Sequence, residues 1–222
     1  MSGSWWVEIV FLAMLAGFIA LRLVSVLGRR TGHEQGPGDL FRQPTPEVAP
    51  SGAPVRDAAG RPRLTLPVDV PAAARSGLEA IAAVDPQFDA QRFLAGARQA
   101  YGMTLEAFWK GDLAPVESFI ADDVAEQFRR AIAARRDAGL RVENRIEDIA
   151  QPTVVAASLE GMMAEVTLRF DARIESVTRD AEGRVVDGTP GETVETTDVW
   201  TFRRHVAQSD PTWLIVSTAD GD

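Results

Sequence analysis

The sequence predicts an α+β domain that follows an N-terminal transmembrane helix and a disordered linker. Three patterns along the 222 residues support this prediction. An apolar run opens the chain, and a stretch rich in proline and glycine follows it. The remainder then changes from the helical period of 3.6 residues to the strand period of two. Helices that precede a series of strands are typical of α+β domains.

The apolar run covers residues 5–27 and predicts a membrane anchor. A helix over this run would be about 34 Å long, enough to cross a hydrocarbon core of about 30 Å. Trp5 and Trp6 suit the membrane interface. A cleaved signal peptide would carry basic residues first, but residues 1–4 contain no Lys or Arg. We therefore assign residues 1–27 to an uncleaved transmembrane anchor that contacts membrane lipid.

The orientation of the anchor follows from its flanking charges. Arg29 and Arg30 come directly after the apolar run, and no basic residue precedes it. The positive-inside rule then places the residues after the anchor in the cytoplasm.

Residues 28–75 form the predicted linker. Eight of the thirteen prolines lie between Pro37 and Pro71. Such a stretch cannot bury enough apolar surface to offset its chain entropy, so we expect it to be disordered. The domain, residues 76–222, would be tethered near the membrane without being held against it.

The charge of the predicted domain excludes some functions. Residues 76–222 contain fifteen Lys and Arg against twenty-six Asp and Glu, a net charge of −11. This charge repels phosphate backbones, so we expect no nucleic-acid partner. The absence of cysteine excludes disulfides, thiolate nucleophiles and Cys-ligated zinc.

Four helices are predicted before the strands, over residues 76–84, 89–110, 113–120 and 122–139. The second is the clearest, because an apolar stripe at helical spacing runs from Phe93 to Trp109 and Gly111 can end it. Asp112 is placed to cap the third helix. In the fourth, Asp123 and Glu126 have the spacing of a capping box.

Five strands are predicted after the helices, over residues 142–149, 153–159, 166–175, 195–206 and 213–218. The third is the clearest half-buried strand, because apolar and polar residues alternate from Val166 to Glu175. A turn at residues 180–183 and a loop at residues 184–191 separate the third strand from the fourth.

Several of these segments together resemble bacterial Tim44-like adaptor proteins. They are residues 26–32, 88–94, 108–113, 198–203 and 213–216, with the proline-rich spacer between the first two. The resemblance covers nearly the whole chain. It implies a cone-shaped fold of the nuclear-transport-factor-two type, with helices packed on a curved antiparallel sheet around an apolar pocket.

The resemblance also implies a role and a location. Mitochondrial relatives are membrane-bound scaffolds that connect the preprotein channel to its chaperone motor. We expect this chain to carry its apolar run in place of their long basic N-terminal region. We therefore expect an adaptor of the bacterial inner membrane, single-pass, with its C-terminal domain in the cytoplasm. Its protein partners would be translocation, chaperone or membrane-complex components.

Eight side chains are the expected lining of the apolar pocket. They are Phe93, Tyr101, Phe108, Phe128, Leu168, Phe170, Trp200 and Trp213. An open cone could accept an acyl chain or an apolar peptide segment. The alternative is that these side chains simply fill the core.

An arginine cluster lies late in the fourth helix, at Arg129, Arg130, Arg135 and Arg136. Cations near a helix C-terminus complement the helix dipole, which explains the cluster without a partner. The functional alternative is a docking patch for an acidic partner.

We expect no enzymatic activity, no metal and no cofactor. The two histidines, His33 and His205, have no companion at ligand spacing. The alternative is a cavity enzyme, since some relatives of the implied fold transfer protons with an Asp and a Tyr in an apolar cavity. Tyr101 and Asp198 would be those residues here, whereas Asp171 alternates onto the polar face. A membrane-tethered binder of an apolar ligand is the other alternative to the adaptor.

Overall fold

The computed structural model describes residues 70–221 of the chain. The predicted anchor, and the predicted linker up to residue 69, lie outside the described residues. In the part of the chain that is described, no helix is both long and apolar enough to cross a membrane.

Three α-helices precede the sheet: α1 (Ala72–Val84), α2 (Ala90–Lys110) and α3 (Asp122–Asp137). The sequence predicted both ends of α2. At its start the Asp89 carboxylate accepts a hydrogen bond from the Arg92 N–H at 2.9 Å. At its end Gly111 adopts the left-handed conformation, with φ of 74°.

Helix α1 begins at Ala72 rather than at Ser76, so the predicted boundary of the linker at residue 75 is too late. Alanine has the highest helix propensity, and the three alanines after Pro71 extend the helix backwards. Ala74 is 1% exposed, so the added turn belongs to the core.

Two further helix predictions are wrong. Residues 113–120 form a turn and one short 3₁₀ segment, Glu117–Phe119, instead of a third α-helix. The Asp112 carboxylate accepts from the Ala114 N–H at 3.1 Å, as the predicted cap would. The backbone bonds that follow join residues three apart, and Ile120 is extended and pairs with Ile215. The capping box at Asp123 does not form either, because the N-cap of α3 is Ala121, two residues before Asp123.

Six strands form one antiparallel sheet. They are β1 (Arg141–Ile149), β2 (Thr153–Glu160), β3 (Met163–Arg179), β4 (Val185–Asp187), β5 (Thr193–His205) and β6 (Leu214–Asp220). Strand β3 is central: β2 and β1 pair with successive parts of it, β5 pairs along most of its length, and β6 pairs with β5. The short strand β4 lies within the predicted loop at residues 184–191.

The even-numbered side chains of β3 face the helices and form the core. Val166, Leu168 and Phe170 are each 0% exposed, as is Leu94 on α2. This arrangement confirms the α+β prediction, with helices on one face of an antiparallel sheet. The helices come close to the sheet: a Cβ atom added at Gly77 would lie 2.0 Å from the Ala157 carbonyl oxygen.

The opposite face of the sheet carries ion pairs between neighbouring strands. They are Arg145–Glu175, Arg173–Glu147, Arg179–Glu143 and Arg203–Glu165. Asp171 lies on this face, as the alternation predicted, and binds Arg169 and Thr197. Each of these pairs has at least one exposed side chain, so this face is solvated and the pairs contribute little to stability.

Candidate binding site

The structure distributes the eight predicted pocket residues over two clefts and the packed core. Phe93 and Trp213 line one cleft, which we call the first cleft. Phe108, Phe128 and Trp200 line another, the second cleft. Tyr101, Leu168 and Phe170 are each 0% exposed, within the core.

The first cleft has a volume of about 380 Å³ and an aromatic wall. The Trp213 ring lies 4.7 Å from the Phe93 ring and 5.9 Å from the Phe88 ring, centroid to centroid. Phe119 and Phe202 complete the aromatic lining. The sequence prediction missed these last two and Phe88, although the period of two on β5 does place Phe202 on the same face as Trp200.

A buried ion pair fixes the walls of the first cleft. Arg204 Nη1 donates to Asp85 Oδ2 at 2.7 Å, and the two side chains are only 11% and 6% exposed. Asp85 ends α1, and its other carboxylate oxygen accepts from the Gln87 N–H. Arg204 Nε also donates to the Asp210 carbonyl oxygen at 3.2 Å. Arg204 therefore ties the turn before α2 to the loop before β6, and both segments contribute lining residues.

The rim of the first cleft is polar, with Gln87, Asp89, Arg92 and Thr212 around the aromatic wall. The lining also includes Gly96 on α2, where an added Cβ would meet nothing within 4 Å. The cleft thus combines a preformed apolar wall with groups that can bind a polar backbone at its edge.

The second cleft is smaller, about 200 Å³, and lies between α2, α3 and the β5–β6 pair. The Phe108 and Phe128 rings pack 5.3 Å apart, centroid to centroid. Asp198 and Asp220 share this cleft with Trp200. Its wall is therefore aromatic on the helix side and acidic on the strand side.

Tyr101 and Asp198 form a hydrogen bond between the core and the second cleft. The Tyr101 hydroxyl donates to Asp198 Oδ2 at 2.5 Å, and its ring stacks on Phe170 at 4.4 Å. Burial raises the pKa of the Tyr101 hydroxyl above its ordinary value, and the bond to Asp198 adds to this. Burial also raises the pKa of Asp198; the Tyr101 bond opposes this increase, and the negative charge of Asp220 reinforces it.

This pair has the composition that the cavity-enzyme alternative requires. A carboxyl with a raised pKa beside a tyrosine can take part in proton transfer. Here the tyrosine hydroxyl is fully buried and bound to the carboxylate, so the pair also has a structural role in joining α2 to β5.

Most of the predicted arginine cluster has partners within the domain. Arg129 binds Glu117 at 2.5 Å, and Arg130 lies 4.0 Å from Glu126. Arg135 donates to the carbonyl oxygens of Phe108 and Trp109, at 2.9 and 3.0 Å, and lies over the Phe108 ring. It therefore caps the C-terminus of α2.

Of the four cluster arginines, only Arg136 has no ion-pair or side-chain hydrogen-bond partner among residues 70–221. Burial lowers the pKa of Arg135, in keeping with its position against α2. The acidic-partner docking patch stays a prediction, and its available charge is smaller than the sequence indicated.

Helices on one face of an antiparallel sheet, with an aromatic cleft and a polar rim, define the class of a small α+β domain. The chain belongs to the Tim44-like domain family, which matches residues 74–220. The resemblance to Tim44-like proteins that the sequence indicated is thereby confirmed over these residues.

Two curated relatives are similar over 135 residues. The mitochondrial import inner membrane translocase subunit TIM44 of Homo sapiens is 27% identical, and that of Rattus norvegicus is 26% identical. Each match covers 60% of this chain but only 30% of the relative, so the chain spans less than a third of those proteins.

Two solved structures are also similar. The intermembrane space region of the chloroplast protein ARC6 matches with a TM-score of 0.40 and 13% identity, over 61% of this chain and 98% of that one. A de novo β-sheet design matches with a TM-score of 0.29 and 14% identity, over 59% of this chain and 90% of that one.

Proposed function

We propose that the protein is a membrane-anchored adaptor that acts in protein transport or in the assembly of membrane-protein complexes. Membership of the Tim44-like domain family supports this role, as does similarity to relatives named as subunits of an import translocase. The observation that carries the proposal is the first cleft, an open aromatic groove with a polar rim.

The occupant that we propose for the first cleft is an apolar segment of a partner protein. Large aromatic side chains dominate the energetics of protein interfaces, and a polar rim around an apolar centre is their usual anatomy. The Arg204–Asp85 pair holds the walls in place before binding. Because these wall segments are already ordered, binding loses less conformational entropy, which favours affinity.

The finer parts of the proposal come from the sequence. Residues 5–27 would cross the bacterial inner membrane once, and the linker would place the domain in the cytoplasm. The cone-shaped fold of the nuclear-transport-factor-two type and the absence of catalysis belong to the same proposal. Partners would be translocation, chaperone or membrane-complex proteins.

Site-specific photo-crosslinking in living cells tests the adaptor role. A photoreactive amino acid would replace Thr212 on the rim of the first cleft, and Ser158, exposed on β2, in a control. We expect defined protein adducts from the Thr212 position that Trp213→Ala diminishes. Identical adducts from both positions, or none from Thr212, would contradict the proposal.

A second candidate is the binding of an apolar ligand, such as an acyl chain, in the same cleft. The cleft volume of about 380 Å³ favours it, because small-molecule pockets occupy roughly 300–1,000 Å³. Native mass spectrometry of the full chain, released from detergent, would show a retained ligand as added mass. Gly96→Leu would place a large side chain in the lining of the cleft and should remove that mass. Protein adducts without added mass would favour the adaptor.

A further inference from the structure

We propose that the second cleft binds a primary alkylammonium group, with Asp198, Asp220 and Thr104 as its hydrogen-bond acceptors. This inference does not depend on the adaptor role, which rests on the first cleft. Three observations support this inference. They are a pair of carboxylates without a neutralising cation, a buried hydroxyl without a hydrogen-bond partner, and the aromatic wall and small volume of the cleft.

The two carboxylates lie opposite each other on paired strands. Asp198 on β5 is the direct cross-strand partner of Asp220 on β6. Like charges in this position are destabilising. Elsewhere on β3 and β5, Glu165 is paired with Arg203 and Asp171 with Arg169.

Among the described residues no Lys or Arg forms an ion pair with Asp198 or Asp220. Tyr101 binds one oxygen of Asp198 and brings no positive charge. The second cleft therefore has a local charge that a bound cation would neutralise.

The hydroxyl of Thr104 supplies the second, independent observation. Thr104 is 0% exposed and lies on the wall of the second cleft. Its Oγ1 atom has no hydrogen-bond partner in the described part of the chain. Buried polar atoms are nearly always paired, so a hydroxyl left without a partner at a cleft wall indicates a missing partner, and this hydroxyl can accept from a donor.

The chemistry of a primary ammonium group matches these three oxygens. It carries three N–H donors and no acceptor. Phe108, Phe128 and Trp200 form the rest of the wall, where aromatic faces attract a cation and also pack against methylene groups. A metal ion fits less well, because residues 70–221 contain no cluster of three ligating His, Asp or Glu side chains.

The volume of the second cleft restricts the ligand further. At about 200 Å³ it is smaller than the usual small-molecule pocket of roughly 300–1,000 Å³. An ammonium group on a short aliphatic chain fits this space, whereas a fatty acyl chain does not. Two sources carry this chemistry: the lysine side chain of a peptide, and a free alkylamine.

Isothermal titration calorimetry of the full chain in mild detergent tests the inference. The probes are Nα-acetyl-lysine methylamide and n-pentylamine, and their neutral counterparts are the Nε-acetylated lysine derivative and n-pentanol. We expect both amines to bind, and the neutral compounds to bind at least about tenfold more weakly, because charge-assisted hydrogen bonds are the stronger ones. If the lysine derivative binds more tightly, the natural ligand is a lysine side chain. If n-pentylamine binds more tightly, the natural ligand is a free alkylamine.

Variants localise the binding. Asp220 is exposed, so Asp220→Asn should leave the fold intact and weaken amine binding about tenfold, and Thr104→Val should weaken it about threefold. Asp187→Asn, at an exposed position on β4, removes the same charge away from the cleft and should change nothing. The inference is wrong if neither amine binds, if the neutral compounds bind equally well, or if Asp220→Asn and Asp187→Asn have the same effect.

Discussion

Replacing Tyr101 with phenylalanine would remove one hydroxyl from the centre of the domain and leave the ring in place. The ring is 0% exposed and stacks on Phe170, so its apolar contacts should persist. What is lost is the 2.5 Å hydrogen bond to Asp198. Hydrogen bonds to charged groups contribute about 1.5–3 kcal/mol, so we expect Tyr101→Phe to lower the free energy of unfolding by about 2 kcal/mol.

Urea denaturation of the full chain in detergent, followed by tryptophan fluorescence, measures this loss. A change in midpoint at constant slope would report stability alone. Asp198→Asn is the matched control, because the amide oxygen can still accept the Tyr101 proton while the charge disappears. We expect this variant to be as stable as the parent or slightly more stable, since it also removes the repulsion from Asp220.

The effect of Asp198→Asn on stability should depend on pH, because it follows from the pKa of Asp198. This pKa is raised in the folded state above its ordinary value of 3.8, so the folded domain holds the proton more firmly than the unfolded chain does. The resulting stabilisation is complete below the unfolded pKa and is lost as the pH rises through the folded pKa. The increase in stability from Asp198→Asn should therefore be present near neutral pH and vanish in acid.

Either of two results would show that the Tyr101–Asp198 hydrogen bond does not stabilise the domain as proposed. One is a loss below about 0.5 kcal/mol for Tyr101→Phe, well under the usual range for a bond to a charged group. The other is an Asp198→Asn variant that is as unstable near neutral pH as Tyr101→Phe, because the charge rather than the tyrosine hydroxyl would then hold the two elements together.

Two more predictions use neighbouring or matched positions. Gly77→Ala should destabilise the domain by more than about 2 kcal/mol, because its Cβ would lie 2.0 Å from a carbonyl oxygen. Gly96→Ala should instead stabilise it by about 0.5–1 kcal/mol, because alanine has the higher helix propensity and its Cβ would meet nothing. Thermal unfolding distinguishes the two variants. Arg204→Met should lower the free energy of unfolding by about 3–5 kcal/mol, because it leaves Asp85 charged and buried. Arg203→Met breaks an exposed pair and should lower it by less than about 1 kcal/mol; urea unfolding measures both. Equal effects within either pair would contradict the burial argument.

Local sequence determined the elements whose signals are carried by adjacent residues. Helix α2 begins after Asp89 and ends before Gly111, because a side-chain cap and a left-handed glycine act within one turn. Strand β3 shows the predicted alternation, because side chains of a strand point to opposite faces in turn. The helix predicted over residues 113–120 is replaced by bonds between residues three apart, and Ile120 at its end pairs with Ile215 of β6. This last contact is long-range, and periodicity does not reveal it.

The tertiary structure alone decided the clefts and their chemistry. The sequence placed the aromatic residues on inward faces, but only packing separated them into a first cleft, a second cleft and a core. Asp85 and Arg204 meet across 119 positions, and Tyr101 and Asp198 across 97. The pairing of Asp198 with Asp220 depends on a β5–β6 register that shifts at Thr201/Phe202. Such contacts come from long-range register, which short-range patterns in a single chain do not encode.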